Sequence, residues 1–172
     1  MFSTLLILAA ATAAGQPADP LAPAREGKYQ CVVPNQEKKT CVGTTSYKVG
    51  PDGSYESTTR LFLAPQPLIT MELHTRGGTK DGQLCETVKL ADFQSGTVFI
   101  DGKPADDGTS NAVKSQLTAA VSAMDGKSAC SAFKPDQGGL LLNEVSIDGT
   151  VRPDLSQKFI WVSPKDGYKL GM

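Results

Sequence analysis

The 172-residue chain has little of what most active sites use. It has one histidine, so a histidine-based metal site lacks its second ligand and any Ser-His-Asp arrangement must run through His74. It contains no G-x-S-x-G elbow, phosphate loop, dinucleotide fingerprint or nucleic-acid module. Neither a D-x-D-x-D-G calcium loop nor a C-x-x-C zinc spacing is present. The sequence therefore predicts no cofactor and no bound metal.

The chain also lacks a charge excess and a long apolar run. Its 17 basic and 18 acidic residues give a net charge of −1, which removes the electrostatic basis for binding nucleic acid. The apolar run at residues 5–14 is too short for a membrane anchor, but small residues follow it, as in a signal peptide. We therefore predict a signal peptide at residues 1–15, no membrane span in the mature chain, and a periplasmic or secreted location.

The rest of the chain predicts a short linker and one domain. Residues 16–26 are rich in proline and alanine, which indicates an extended linker with nothing to bury. Residues 27–172 have a length that suits a single domain. Seven Asp-Gly dipeptides favour tight turns, because both residues tolerate positive φ. Between the turns, apolar and polar residues alternate as they do in half-buried antiparallel strands.

One stretch repeats its apolar residues at the spacing of a helix. These residues share one face of a 3.6-residue helix and are Val113, Leu117, Ala120, Val121 and Met124. Such a short helix is marginal alone and needs a sheet to lie on. The sequence therefore predicts an α+β fold: a twisted antiparallel sheet of about six to eight strands, with one main helix at about residues 110–124 packed on it.

The four cysteines predict two disulfides, because an even number in an exported chain favours bonding over free thiols. Four cysteines allow three pairings. A hairpin centred on Gln36 brings Cys31 opposite Cys41, within reach of a disulfide. This pair leaves Cys85 to bond Cys130. Both of these cysteines lie in strands that flank the helix, so we expect their bond to hold the helix on the sheet.

His74 is one candidate for catalysis. It lies beside Glu72 on the polar face of its strand, where it is placed to act as a general base. The alternative is an ordinary solvated strand residue. A pair of carboxylates for glycoside hydrolysis is another hypothesis, with the candidates Glu56, Glu72, Glu86 and Glu144. Glutamates on the solvent face of a sheet are common, however, and need no functional explanation.

Glu86 is the second candidate because of the face on which it lies. It shares the parity of Leu84 and Val88 in its predicted strand, so its carboxylate is expected to point inward. A buried carboxylate needs a partner, and Arg60 or Arg76 is predicted to supply it. An ion pair of this kind is a structural role, and catalysis is the alternative.

Three aromatic residues near the end of the chain are candidates for a contact surface: Phe159, Trp161 and Tyr168. Aromatic side chains often anchor interfaces. The alternative for a lone tryptophan on an apolar strand is a place in the core.

Three short motifs carry a resemblance to known proteins. They are G-x-Y-x-C at residues 27–31, P-D-G-S-Y at 51–55 and I-W-V-x-P-x-D-G-Y at 160–168. With these motifs the chain resembles small exported bacterial envelope proteins of unassigned function, over almost the whole predicted mature region. The motifs consist of turns, strands and a cysteine, so the resemblance implies no reaction and no functional residue.

Two functions remain open from the sequence. We favour a non-catalytic exported protein that binds an envelope protein or a small ligand, and an inhibitor of an exported hydrolase is one version. The alternative is an exported hydrolase of unknown class. A concave pocket that holds His74 or Glu86 beside a second polar group would favour the enzyme, and an open aromatic face without a pocket would favour binding.

Overall fold

The computed structural model describes residues 19–172. The predicted signal peptide, residues 1–15, and the first part of the predicted linker lie outside the described residues. The described helices are α1 (Ala22–Arg25), α2 (Leu90–Ser95) and α3 (Asp107–Val121). The strands are β1 (Tyr29–Asn35), β2 (Thr40–Val49), β3 (Ser54–Pro65), β4 (Leu68–Lys80), β5 (Gln83–Thr87), β6 (Thr97–Ile100), β7 (Lys103–Pro104), β8 (Ser128–Pro135), β9 (Leu141–Ile147), β10 (Thr150–Val151), β11 (Gln157–Val162) and β12 (Lys169–Leu170).

Eight of the strands pair in a ring, which we call the closed sheet. The chain runs up and down through β1, β2, β3, β4 and β5, then through β8, β9 and β11, and each strand is antiparallel to its neighbours. The pairing of β11 with β1 completes the ring. A closed sheet has no free edges in the ring and places one face of every strand inside.

The predicted fold class is therefore wrong in its balance of elements. The structure has twelve paired strands, more than the six to eight that were predicted, and α3 is the one helix longer than two turns among the described residues. Strands β7, β10 and β12 are two residues long, too short to produce an alternating pattern. Closure of the sheet produces no pattern in the sequence either, because it depends on pairing between distant parts of the chain.

Cross-strand partners define the inward face. Directly paired residues lie on the same side of a sheet, and Thr45 pairs with Thr59 while Ser57 pairs with Thr75. Continued around the ring, this face combines polar residues with apolar ones and carries three buried polar side chains: Gln30, Thr45 and Ser57. The interior is thus less apolar than an ordinary core.

Helix α1 packs at one end of the closed sheet and belongs to the region predicted as a linker. Leu21 is fully buried, and it lies with Ala24 against Tyr55 and Leu84. The carboxylate of Asp19 accepts a hydrogen bond of 2.9 Å from the amide of Leu21 and fixes the start of the turn. Residues 19–26 are therefore folded against the domain. One buried leucine among prolines and alanines produces no periodic signal.

The segment between β5 and β8 is the long excursion from the ring, and it contains α2, β6, β7 and α3. Strand β6 pairs with residues 69–72 of β4, whereas β5 pairs with residues 77–80. Val113 and Leu117 of α3 pack against Met71 and Leu73. Asp106 begins the helix, because its carboxylate accepts a hydrogen bond from the Thr109 amide at 3.0 Å. Helix α3 thus covers the part of the β3–β4 hairpin that lies beside β6.

The structure contains two disulfides, in the pairing that the sequence favours. Cys85 and Cys130 are directly opposite in β5 and β8, so this bond joins the strands on either side of the excursion instead of holding α3 on the sheet. Cys31 and Cys41 have Cα atoms 5.3 Å apart, but Cys31 is opposite Thr44 and not opposite Cys41. The predicted register of that hairpin is wrong because its turn lies further along the chain.

Candidate functional site

The closed sheet encloses a cavity of about 290 Å³. Both polar and apolar side chains line it, among them Gln30, Thr45, Thr59, Leu61, Leu84 and Asn143. Tyr55 and Leu84, against which α1 packs, line one end. Gln157 lines the cavity and is exposed, so the cavity reaches solvent at the mouth where β11 begins. The volume lies near the lower limit of ligand sites, roughly 300–1,000 Å³.

A chain of hydrogen bonds leads to a carboxylate inside this cavity. The hydroxyl of Thr75 donates to Oε2 of Glu86 at 2.7 Å. The hydroxyls of Ser57 and Thr75 lie 2.7 Å apart. Since Thr75 has one proton and gives it to the carboxylate, Ser57 is the donor in this second bond. Three strands therefore position Glu86 through two side chains on their inward faces.

Burial is the largest influence on Glu86. It raises the pKa of the carboxyl above its ordinary value, the hydrogen bond from Thr75 partly offsets this, and the nearby carboxylate of Asp92 raises it further. The predicted partners lie elsewhere, because Arg60 and Arg76 project from the outer face of the sheet. Among residues 19–172, no lysine, arginine or histidine nitrogen lies within 4.0 Å of this carboxylate. The inward orientation was predicted, but the ion pair was not found.

Two further polar atoms in the cavity wall lack partners. The hydroxyl of Tyr47 donates to Oε1 of Gln30 at 3.0 Å, which leaves Nε2 of Gln30 without an acceptor in the described part of the chain. Oδ1 of Asn143 is likewise buried and unpaired there. A buried polar atom without a partner costs about 1–3 kcal/mol. A donor and an acceptor are therefore available to a bound molecule.

Aromatic rings form one wall of the interior. The rings of Tyr47 and Tyr55 meet edge to face with centroids 5.5 Å apart, and Trp161 lies 6.0 Å from Tyr47. Burial raises the pKa of both tyrosines, with a further contribution from the Glu86 charge, so both hydroxyls stay protonated at neutral pH. Their rings offer an apolar surface, and the hydroxyl of Tyr55 offers a donor, whereas that of Tyr47 already donates to Gln30.

The three residues predicted as a contact surface do not share one. Phe159 is 1% exposed and Trp161 packs against it inside the closed sheet, with ring centroids 5.9 Å apart. Tyr168 lies outside, near the Cys31–Cys41 bond. The alternative of core residues fits Phe159 and Trp161.

His74 lies on the outer face of β4. Its Nε2 is 3.3 Å from a carboxylate oxygen of Glu72, its Nδ1 is 3.1 Å from the hydroxyl of Thr58, and its side chain is 67% exposed. It lines an outer groove of about 560 Å³. This groove is larger than the cavity, and two of its charged side chains, Arg76 and Glu56, pair with each other at 3.0 Å.

The other candidate glutamates also lie outside. Glu56, Glu72 and Glu144 make ion pairs with Arg76, Arg60 and Lys134 respectively. Of the four, only Glu86 points inward, and the structure therefore does not bring two of them together as a catalytic pair.

Sequence reasoning missed the rest of the cavity. Gln30, Ser57 and Thr75 are not among the residues that the sequence singles out, although their strands have apolar neighbours at the same parity. Hydroxyl and amide groups on a face that also carries buried leucines were the available signal. Their meaning depends on closure of the sheet, because on an open sheet the same face would meet solvent.

No group of three or more His, Cys, Asp or Glu side chains in residues 19–172 is arranged to hold a metal ion. None of the helices that the structure describes is long and apolar enough to cross a membrane. Compared with protein-family models, with curated proteins and with solved structures, the chain matches none of them. The functional argument therefore rests on the interior of the closed sheet.

Proposed function

We propose that this protein is an exported binding protein that holds a small ligand inside its closed sheet. The observation that carries this proposal is the cavity with an inward carboxylate, Glu86, that has no cationic partner among the described residues. Folding keeps a charged group away from water only at a cost. A ligand that pairs with the group offsets this cost in the bound state.

Two features support the proposed location. The two disulfides are compatible with an oxidising compartment outside the cytoplasm. The predicted signal peptide at residues 1–15 supports the finer assignment to the periplasm or to secretion. Detection of the mature protein in a periplasmic or culture fraction tests this assignment, and retention of the full-length chain in the cytoplasm would overturn it.

One arrangement favours a second candidate, an exported hydrolase. The hydroxyl of Thr75 lies 2.7 Å from the carboxylate of Glu86, a distance at which a base can activate a nucleophile. The bond from Ser57 occupies one of the two lone pairs of the Thr75 oxygen and weighs against this role. Hydrolysis of 4-nitrophenyl acetate that is lost in Thr75→Val would support the hydrolase. Equal rates for both proteins would leave binding as the function.

Binding inside the cavity can be tested by filling the cavity. A Cβ on Gly43 would make ordinary contacts of 3.5–3.6 Å with Leu61, Arg60 and Val32, so alanine fits and valine takes up more of the space. The probes are benzyl alcohol and cyclohexanol, and the measurement is the shift of backbone amide signals in ¹⁵N-labelled protein. We expect benzyl alcohol to shift the signals of Thr45 and Thr59, which line the cavity and not the outer groove. The affinity should fall in Gly43→Ala and fall further in Gly43→Val.

Ser46→Val is the matched control, because Ser46 lies on the outer face of the same strand and lines the outer groove. It should bind the probes as the unmodified protein does. If Ser46→Val abolishes binding while Gly43→Val does not, the ligand lies in the outer groove and the proposal fails. It also fails if neither probe shifts any signal from the interior.

A further inference from the structure

The charge inside the cavity is negative and local. Glu86 lies on β5 and lines the cavity, and Asp92 of α2, which lines the outer groove, is close enough to raise the pKa of the Glu86 carboxyl. Both side chains are only partly exposed. A cavity that carries the Glu86 carboxylate, with no lysine, arginine or histidine nitrogen within 4.0 Å of it among residues 19–172, repels an anionic ligand and attracts a cationic one.

The two arginines of the β3–β4 hairpin, Arg60 and Arg76, make ion pairs on the outer face of the closed sheet. Nε of Arg60 lies 2.6 Å from Oε2 of Glu72, and Nη2 of Arg76 lies 3.0 Å from Oε1 of Glu56. The antiparallel register places Glu56 opposite Arg76 and Arg60 opposite Glu72, on the outer face. These arginines cannot turn inward without a shift of register that would reverse every side chain of the hairpin.

A second observation points independently to a ligand. Gln30 is 4% exposed and lines the same cavity, and its Nε2 donor has no partner among residues 19–172. The oxygen of the same amide is held by the hydroxyl of Tyr47, which fixes the direction of the free donor. A ligand that carries an acceptor would satisfy Gln30 while its cationic end meets Glu86.

Aromatic and aliphatic side chains line the cavity wall between Glu86 and Gln30. Tyr47 and Tyr55 line the same cavity as Glu86, and the Glu86 charge adds to the effect of burial in raising the pKa of both tyrosines. Ring faces attract ammonium groups, and this attraction grows where water is excluded. The cavity is small, so a molecule with a single ring or a short chain fits it.

We propose that the ligand is a small organic amine whose ammonium group pairs with Glu86 and whose apolar part lies against the tyrosine wall. This inference rests on the proposed function, since it names the class of molecule that the cavity holds. The ammonium group donates hydrogen bonds to the carboxylate oxygens, and Thr75 keeps the carboxylate oriented toward the cavity. No bond is made or broken.

The test compares three probes of similar shape and different charge: benzylamine, benzyl alcohol and benzoate. Affinities come from titrations that follow the amide signals of the interior and the fluorescence of Trp161, the single tryptophan. At neutral pH we expect benzylamine to bind about tenfold or more tightly than benzyl alcohol, since hydrogen bonds to charged groups are the stronger ones. Benzoate should bind more weakly than either. This comparison uses the unmodified protein and does not depend on the folding of a variant.

Two variants then locate the preference. Glu86→Gln keeps an acceptor for the Thr75 hydroxyl and should bring the affinity for benzylamine down to that for benzyl alcohol. Glu72→Gln removes a carboxylate from the outer face of β4 and should keep the preference. Loss of the preference in Glu72→Gln, but not in Glu86→Gln, would place the amine outside and overturn the inference.

The possible failures are distinguishable. If benzyl alcohol binds in the cavity as tightly as benzylamine, this inference is wrong and the proposed function stands. If benzoate binds most tightly, the inference is wrong as well and the charge of the site is not what selects the ligand. If none of the three probes reaches the interior, the proposed function fails together with the inference.

Discussion

Thr75 on β4 donates a hydrogen bond of 2.7 Å to Oε2 of Glu86 on β5, across the inward face of the closed sheet. The bond orients the carboxylate but does not compensate its burial, because burial is the larger influence and raises the pKa of Glu86. The folded protein therefore keeps this charge at the expense of stability. Such a cost is typical of groups that serve binding rather than folding.

The first prediction is that Glu86→Gln stabilises the unliganded protein in a way that depends on pH. Between the ordinary pKa of a glutamate, about 4.3, and the raised pKa of Glu86, the folded state binds more protons than the unfolded state. The free energy of unfolding therefore falls as pH rises through this window. Glu86→Gln should raise the free energy of unfolding at pH 7, and its advantage should shrink toward pH 4.

Urea unfolding of both proteins at pH 4, 5, 6 and 7 measures this difference. Glu56→Gln is the control, because it removes an exposed carboxylate of the outer face and should stay within about 0.5 kcal/mol of the unmodified protein. An advantage of Glu86→Gln that is constant from pH 4 to pH 7 would contradict the raised pKa.

The inward direction of Glu86 was predictable because side-chain parity is a local property of a strand. Its hydrogen-bond partner was not. The sequence suggested Arg60 or Arg76, but the register of β3 against β4 sends both arginines outward and brings Thr75 to the inner face. Register depends on turn geometry and on the pattern of several strands together, so one strand read alone does not determine it.

Closure of the sheet is the more important feature that the sequence did not predict. Alternation in β4 is visible in the sequence, and Met71 and Leu73 are buried as the pattern indicates. The pairing of Val32 in β1 with Phe159 in β11 joins residues far apart in the chain, and no local pattern encodes it. Without closure the inner hydroxyls and amides look solvated, and the cavity cannot be recognised.

The second prediction concerns the Cys85–Cys130 bond, which closes a loop with a sequence separation of 45. Cys85→Ala combined with Cys130→Ala should lower the free energy of unfolding by about 4 kcal/mol, because the unfolded chain regains the freedom of that loop. Guanidinium unfolding measures the loss. The unmodified protein under reducing conditions is a second measurement, since its thiols keep the side-chain volumes, and it should lose at least as much because the Cys31–Cys41 bond is broken as well. A loss below about 1 kcal/mol in both would contradict the chain-entropy explanation.

The third prediction is that α1 stabilises the domain through one side chain. Leu21 is fully buried against Tyr55 and Leu84, so Leu21→Ala should cost about 2–5 kcal/mol. It should also shift the emission of Trp161, which packs against the same cluster, toward longer wavelengths as water enters that end. Urea unfolding and fluorescence spectra measure the two effects.

Arg25→Ala is the control in the same helix. Arg25 is exposed and pairs with Asp19 at 3.1 Å, and its removal should cost no more than about 1 kcal/mol. Equal stability of the Leu21→Ala and unmodified proteins would mean that residues 19–26 behave as the linker that the sequence predicts.

The fourth prediction compares two adjacent glycines of β4. A Cβ on Gly77 would overlap the hydroxyl oxygen of Tyr55 and the carbonyl oxygen of Cys85, whereas a Cβ on Gly78 meets nothing nearer than the carbonyl oxygen of Gly53, at 3.9 Å. Gly77→Ala should therefore lower the free energy of unfolding by about 1–3 kcal/mol. Gly78→Ala should leave it unchanged or raise it by about 0.5 kcal/mol, because alanine restricts the unfolded chain.

Urea unfolding of the two alanine variants measures this difference, and each variant controls for the other because they share a strand and a substitution. Gly77 also pairs directly with Glu86, so displacement of Tyr55 in Gly77→Ala should weaken the binding of benzylamine as well as the fold. Gly78→Ala should keep that affinity. Two variants of equal stability and equal affinity would show that the Tyr55 ring is free to move away from β4, and the tyrosine wall would then be too loose to select a ligand by shape.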